Sequence, residues 1–142
     1  MTDFLTPSAR SYLMSRVRGK NTRIERLIFG ELRKRGVPFS KHARGLEGRP
    51  DIVCRSCRLA IFVDGDFWHG RRYEAWQHKL TARWSAKIEA NMRRDRRQRA
   101  ALRRRGWHVL KLWGSDILKD PPRCAEKVIV MRARLLRGKS EQ

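Results

Sequence analysis

Apolar residues recur along this chain with two different spacings, one helical and one strand-like. Spacings of three and four residues place apolar side chains on one side of an amphipathic helix. They predict four helices, over residues 8–17, 22–36, 81–105 and about 121–136. Thr22 and Glu25 have the spacing of a capping box, which supports the start of the second helix.

Shorter apolar runs predict β-strands between these helices. The predicted strands cover residues 37–39, 51–54, 59–63 and 107–113. The third run is apolar throughout, as expected of a strand that is covered on both faces. Residues 65–80 are predicted to form a loop. This order of elements predicts an α/β fold, with a mixed β-sheet flanked by helices.

The length of 142 residues fits one compact domain. We expect an N-terminal helical arm at 1–20, a core at 21–136 and a frayed tail at 137–142. Because no long apolar seam is visible, we expect a monomer.

The setting is expected to be a reducing cytoplasm. The chain contains no apolar run of about 18 residues, so no membrane span is predicted. Its first ten residues contain no apolar signal core. The three cysteines, Cys54, Cys57 and Cys124, are too few and too odd in number to predict a disulfide framework.

The charge of the chain indicates a polyanionic partner. There are 35 Lys and Arg residues against 14 acids, which gives a formal net charge of +21. Such a positive field attracts nucleic acid, with an affinity that depends on salt. The alternatives are a protein of membrane surfaces and a structural binder of the ribosomal kind.

Acidic residues within this basic chain predict a metal site. Asp51 opens one predicted strand and Asp64 closes the next, so a hairpin would bring both to a common point with the Val63 carbonyl. Glu25 is the natural third acid, and His69 could act as a general base or acid. Mg²⁺ held by such carboxylates is suited to phosphodiester hydrolysis. The alternative is that aspartates at strand ends merely form turns or helix caps.

Several separated motifs resemble those of the very-short-patch-repair (Vsr) DNA mismatch endonucleases, over roughly residues 10 to 118. They are Gly48-Arg49-Pro50-Asp51, Gly65-x-Phe67-Trp68-His69, Trp84-x-x-Lys87-Ile88-x-x-Asn91-x-x-x-Asp95 and Gly106-Trp107-x-Val109-Leu110. The resemblance implies a restriction-endonuclease-like fold and a Mg²⁺-dependent enzyme, with Mn²⁺ as a possible substitute. It also implies nicking of double-stranded DNA beside a T:G mismatch, a bacterial, nucleoid-associated setting, and mismatch-repair proteins as partners.

The resemblance also implies roles for individual residues. Asp51 corresponds to a metal-binding aspartate, Val63 to a carbonyl ligand, His69 to the catalytic histidine and Glu25 to an acid that positions water. The implied DNA contacts are an aromatic wedge, a pair of polar residues that contact the mismatch, and residues of the arm. They are Phe67, Trp68 and Trp84; Lys87 and Asn91; and Met14, Val17 and Arg18.

The chain departs from the family pattern at two places. Asp64 stands where the family usually has histidine, so a carboxylate could bind metal directly there. The positions of the family's structural zinc hold mostly residues that are not zinc ligands, namely Asp66, Arg71, Tyr73 and Ser115. We therefore expect no structural zinc, and we expect Tyr73 and Trp76 to hold the loop by packing. Cys54 and Cys57 are interpreted as a strand cysteine and a turn cysteine.

Two other functions remain open at the level of sequence. A nuclease of the same fold could cut another DNA target, as restriction, modification-dependent or mobile-element nucleases do. A non-catalytic module could use the same aromatic residues to bind DNA.

Overall fold

The computed structural model describes residues 23–140, so the predicted arm, with Met14, Val17, Arg18 and the capping residue Thr22, lies outside the described residues. The described chain contains five α-helices and four β-strands. They are α1 (Arg23–Lys34), β1 (Ser40–Lys41), β2 (Ile52–Cys54), β3 (Leu59–Asp64), α2 (Tyr73–Trp76), α3 (Ala82–Arg104), β4 (His108–Trp113), α4 (Gly114–Lys119) and α5 (Pro121–Ser140).

The strands form one mixed sheet in the order β1-β2-β3-β4. The first three strands are antiparallel neighbours, and β4 pairs with β3 in parallel. A parallel neighbour needs a long crossover, which the 23-residue helix α3 supplies. The predicted α/β class is confirmed, and the flanked four-stranded sheet has a restriction-endonuclease-like architecture.

Side chains alternate between two faces of the sheet, and each face packs on different helices. On one face, Ile61 and Leu112 join a large apolar cluster with α1, α4 and α5. On the other face, Ala60 and Phe62 join a smaller cluster that includes Leu102 of α3. All six residues of β3 are buried, as predicted for a strand covered on both sides.

The structure corrects several predicted boundaries. The strand expected at 37–39 lies at Ser40–Lys41, and the expected loop at 65–80 contains α2 and a 3₁₀ turn at Gln77–Lys79. Helix α4 was not predicted, because its six residues are too few to show helical periodicity. Helix α5 continues to Ser140, beyond the predicted end near residue 136.

Within residues 23–140, every helix is too short or too polar to cross a membrane.

Candidate active site

An open pocket of about 350 Å³ lies between the C-terminal end of β3 and helix α3. Four of the residues predicted to act in hydrolysis line it, namely Asp51, Val63, Asp64 and His69. The structure therefore brings these residues together.

The turn before Asp51 places this residue against the end of β3. Gly48 has a positive φ of 77°, and a Cβ there would lie 3.1 Å from the Phe62 ring. Glycine tolerates both the left-handed backbone and the close approach. After this turn, the antiparallel pairing of Ile52 with Ile61 brings Asp51 to the C-terminal end of β3. The Val63 N–H donates a hydrogen bond of 2.7 Å to Asp51 Oδ2.

Asp51 belongs to a group that could hold a metal ion. One ligand atom each from Glu25, His42 and Asp51 lie within 4.8 Å of one another. Helix α1 carries Glu25, which is only 2% exposed, and His42 Nε2 lies 2.7 Å from its Oε2. The predicted association of Glu25 with Asp51 is present. His42 was not predicted, because it lies in an irregular segment where no periodicity marks it.

A second group, Asp64, His69 and Asp95, lies on the side of the pocket nearer α3. His69 Nδ1 lies 2.5 Å from Asp95 Oδ2 and 3.7 Å from Asp64 Oδ1. Burial acts to raise the pKa of Asp95, but the hydrogen bond and charge of His69, with Arg99 and Arg94, lower it below its usual value. Asp95 therefore remains a carboxylate that can accept the Nδ1–H of His69. In the neutral tautomer of His69 with the proton on Nδ1, Nε2 carries no proton and can accept one.

The contacts of Asp64 differ from those of Asp51. Asp64 was predicted to face the same point as Asp51 and to share its metal. The two aspartates instead fall in different groups of ligand atoms. Asp64 is buried, and Arg99 Nη2 donates to its Oδ1 over 2.8 Å. Arg99 follows Asp95 by four residues on the buried side of α3.

Four aromatic side chains pack together beside this pocket. The Phe67 ring stacks on Trp76 with centroids 5.4 Å apart, and Trp68 lies 5.7 Å from Trp84. Phe67, Trp68, Trp76 and Trp84 are all partly exposed. Tyr73 is buried, and its hydroxyl donates to Glu89 over 3.1 Å. Packing through Tyr73 and Trp76 thus holds the loop, as predicted.

The two polar residues expected at the mismatch also lie near these rings. Asn91 Nδ2 donates to the main-chain oxygen of Trp68 over 3.3 Å. Lys87 is exposed, with its Nζ 5.2 Å from the centroid of the Trp84 ring. The first half of helix α3 therefore contacts the loop that carries Phe67 and Trp68, called the aromatic loop below. Residues further along the same helix line the pocket.

Polar contacts connect three of the four positions where the resemblance places zinc. Asp66 accepts hydrogen bonds from the Ser115 N–H at 3.0 Å and hydroxyl at 2.6 Å. Arg71 donates to the same hydroxyl over 2.9 Å and pairs with Asp116 at 3.0 Å. These contacts join the loop after β3 to helix α4 without cysteine or histidine.

The chain is similar to known DNA endonucleases along most of its length. Residues 2–75 match the family described as DNA mismatch endonuclease Vsr. The type II nicking enzyme V.XorIIP of Xanthomonas oryzae pv. oryzae is 45% identical over 119 residues, which are 82% of this chain and 88% of that protein. V.NmeDIP, a type II nicking enzyme of Neisseria meningitidis serogroup C, is 36% identical over 129 residues, or 89% and 87% of the two chains.

The DNA mismatch endonuclease Vsr of Escherichia coli K12 is 34% identical over 117 residues, which are 80% of this chain and 74% of that protein. The order of motifs, the sheet and the pocket agree with these similarities. The chain therefore belongs to the Vsr family of DNA endonucleases.

Proposed function

We propose that this endonuclease uses Mg²⁺ to nick double-stranded DNA beside a T:G mismatch. One observation carries the proposal: the open pocket joins Asp51, with its neighbours Glu25 and His42, to the His69–Asp95 pair. A hydrolytic site for a phosphodiester needs a group that removes a proton from water and a place for a cation. This pocket contains candidates for both.

The donor atoms around Asp51 fit a small divalent metal. Asp51 and Glu25 offer carboxylate oxygens, which Mg²⁺ and Mn²⁺ prefer. The N–H and the C=O of an extended residue lie on the same edge of its strand, so the Val63 carbonyl is directed to the side of Asp51. The nitrogen of His42 suits Mn²⁺ better than Mg²⁺. When bound, such a metal would neutralise charge on the phosphoryl and leaving oxygens.

His69 is proposed as the general base. Asp95 accepts its Nδ1–H and orients the ring, so Nε2 can remove a proton from the attacking water. The water oxygen then forms a bond to phosphorus as the bond to the leaving oxygen breaks. Glu25, buried behind Asp51, would help to position that water. Asp64 is assigned no metal here, because Arg99 already balances its charge.

The aromatic residues Phe67, Trp68 and Trp84 are proposed to enter the base stack at the mismatch. All three rings are partly exposed, so they can reach DNA. Separating the bases of one step for such an insertion costs a few kcal/mol. Lys87 and Asn91 would contact the mismatched pair from α3. Met14, Val17 and Arg18 are proposed as contacts of the arm, on the resemblance alone.

The proposed setting is the bacterial cytoplasm, with a monomeric enzyme on double-stranded DNA and mismatch-repair proteins as partners. A second candidate is a nuclease of the same fold that nicks another DNA target. It is favoured by the relatives named type II nicking enzymes and by Asp64 at the family's histidine position.

The proposal is tested with a set of duplexes that differ only in one base pair. Wild-type protein and Asp51→Ala are incubated with T:G, other mismatched and matched duplexes in Mg²⁺, and then in Mn²⁺. We expect one strand of the T:G duplex to be cut by the wild type alone, whereas both proteins bind DNA. Equal cutting of T:G and matched DNA would establish the second candidate. If the wild type cuts none of the duplexes but still binds them, the protein is a non-catalytic DNA-binding module.

A further inference from the structure

Arg99 is a buried cation on the floor of the candidate active site. Its residue exposure is 7%, and its guanidinium lies 4.3 Å from the centroid of the Phe62 ring. The Nη2 nitrogen is 2.8 Å from Asp64 Oδ1 and 2.7 Å from Oδ2. Residues from β3 and α3 therefore hold this charge in one place.

The hydrogen bonds of this pair are incomplete. Among residues 23–140, neither Arg99 Nε nor Asp64 Oδ2 has a hydrogen-bond partner, although both atoms are buried. Oδ2 is close to Arg99 Nη2, but only Oδ1 meets the geometry of a hydrogen bond. A buried ion pair is a weak source of stability, since desolvation offsets its attraction. Stability alone is therefore a weak explanation for this pair.

The surroundings of Arg99 identify the ligand that it suits. Arg99 lines the same pocket as Asp51 and His69, the residues assigned to hydrolysis. A guanidinium is always charged at neutral pH and donates to phosphate oxygens in a fixed fork. A second cation beside Asp64, His69 and Asp95 would be repelled by a positive charge that already lies 2.7 Å from Asp64.

We propose that Arg99 binds the phosphodiester that is cut, and that Asp64 is a positioning residue for Arg99 and not a metal ligand. The inference rests on the proposed function for the identity of the pocket. In this enzyme, the carboxylate at position 64 and the guanidinium at position 99 form one unit. Its fixed positive charge faces the anion that becomes more negative during hydrolysis.

The first experiment measures whether Arg99 recognises phosphate charge. Asp51→Ala, which is not expected to cut, is bound to duplexes whose target phosphate is either normal or a neutral methylphosphonate. Loss of that charge should weaken binding about tenfold or more when Arg99 is present. It should change binding less than about twofold in Asp51→Ala/Arg99→Met. The same loss in both proteins would overturn the proposal.

The second experiment separates positioning from metal ligation. Asp64→Asn should cut about 10- to 100-fold more slowly, while Mn²⁺ binding, measured by electron paramagnetic resonance, changes less than about twofold. Weakening of Mn²⁺ affinity by about tenfold or more would make Asp64 a ligand and overturn the proposal. Arg35→Met is the matched control for Arg99→Met, because it removes an arginine that pairs with Glu31 at the exposed C-terminal end of α1.

A double variant keeps the test valid if a single variant unfolds. Asp64→Leu/Arg99→Met replaces both charges with apolar groups, a change that buried pairs often tolerate. We expect it to melt near the wild-type temperature and to cut as slowly as Arg99→Met. Cutting at the wild-type rate by this folded variant would overturn the proposal. Failure of the wild type to cut any DNA would refute the proposed function instead, while the methylphosphonate comparison would still report on Arg99.

Discussion

The two faces of the sheet differ in what they bury. The face toward α1, α4 and α5 buries a continuous, mostly aliphatic set of side chains with three thiols, although α1 also carries the buried Glu25 of the site. The face toward α3 buries a smaller apolar set and, at the end of β3, the charged residues Asp64, Asp95 and Arg99. Burial of apolar surface stabilises a fold, whereas buried charges cost desolvation. The first face therefore supplies most of the stability, and the second uses part of it to hold the site.

Among changes on the charged face, toward α3, loss of His69 should lower the rate of DNA cutting most. His69→Ala removes the proposed base, so cutting of a T:G duplex should fall about 10²- to 10⁴-fold, as for other general bases. Single-turnover rates of cutting measure this effect. Affinity for the same duplex is the control and should remain similar. A fall of less than about tenfold would remove His69 from the role of base.

A change on the aliphatic face, toward α1, α4 and α5, should lower stability and leave the rate of cutting per folded molecule unchanged. Ile28 is fully buried on α1, and Ile28→Ala should lower the free energy of unfolding by about 2–5 kcal/mol. Urea denaturation measures this loss. Val130 is half exposed on α5, so Val130→Ala is a control that should change stability by less than about 0.5 kcal/mol. Reduced cutting per folded Ile28→Ala molecule would mean that the two faces are not separate in function.

The parts that the sequence predicted are those governed by periodicity. The apolar run at 59–63 predicted a strand buried on both faces, and the helical spacing over 81–105 predicted α3 within one residue at each end. The hairpin argument brought Asp51 to the end of β3, because alternation and a short turn determine the pairing of β2 with β3. The Asp51 side chain accepts a hydrogen bond from the Val63 N–H there.

The parts that the sequence did not predict depend on tertiary contacts. His42 reaches Glu25 from an irregular segment with a positive φ of 48°, which has no apolar pattern. The partner of Asp64 could not be chosen from the many arginines of α3 until the helix was oriented against β3. Arg99 is buried there, whereas Arg96 and Arg97 are exposed.

A change in the aromatic loop, beside the charged face, should have a smaller effect, on the preference for mismatched DNA. Trp68→Ala removes a partly exposed ring that is proposed to stack on a base, an interaction of about 1–3 kcal/mol. The preference for T:G over matched duplex, measured by competition binding, should fall by roughly that free energy. Affinity for the matched duplex is the internal control and should change little. An unchanged preference would place Trp68 in packing against Trp84 alone.

The reactivity of the three buried thiols tests whether the aliphatic face is closed to solvent. It is the smallest effect predicted here. Burial, and then the neighbouring Cys57, raise the pKa of Cys54 to about 11, and burial also raises the pKa values of Cys57 and Cys124. At pH 8 only about one Cys54 in a thousand would be a thiolate, which is the reactive form and the metal-binding form. We expect native protein to react slowly with a thiol reagent, and Zn²⁺ to leave that rate unchanged. Guanidinium-unfolded protein is the control and should react at all three cysteines. Rapid reaction of the native protein, or its suppression by Zn²⁺, would show that this face opens to solvent or binds metal through Cys54 and Cys57.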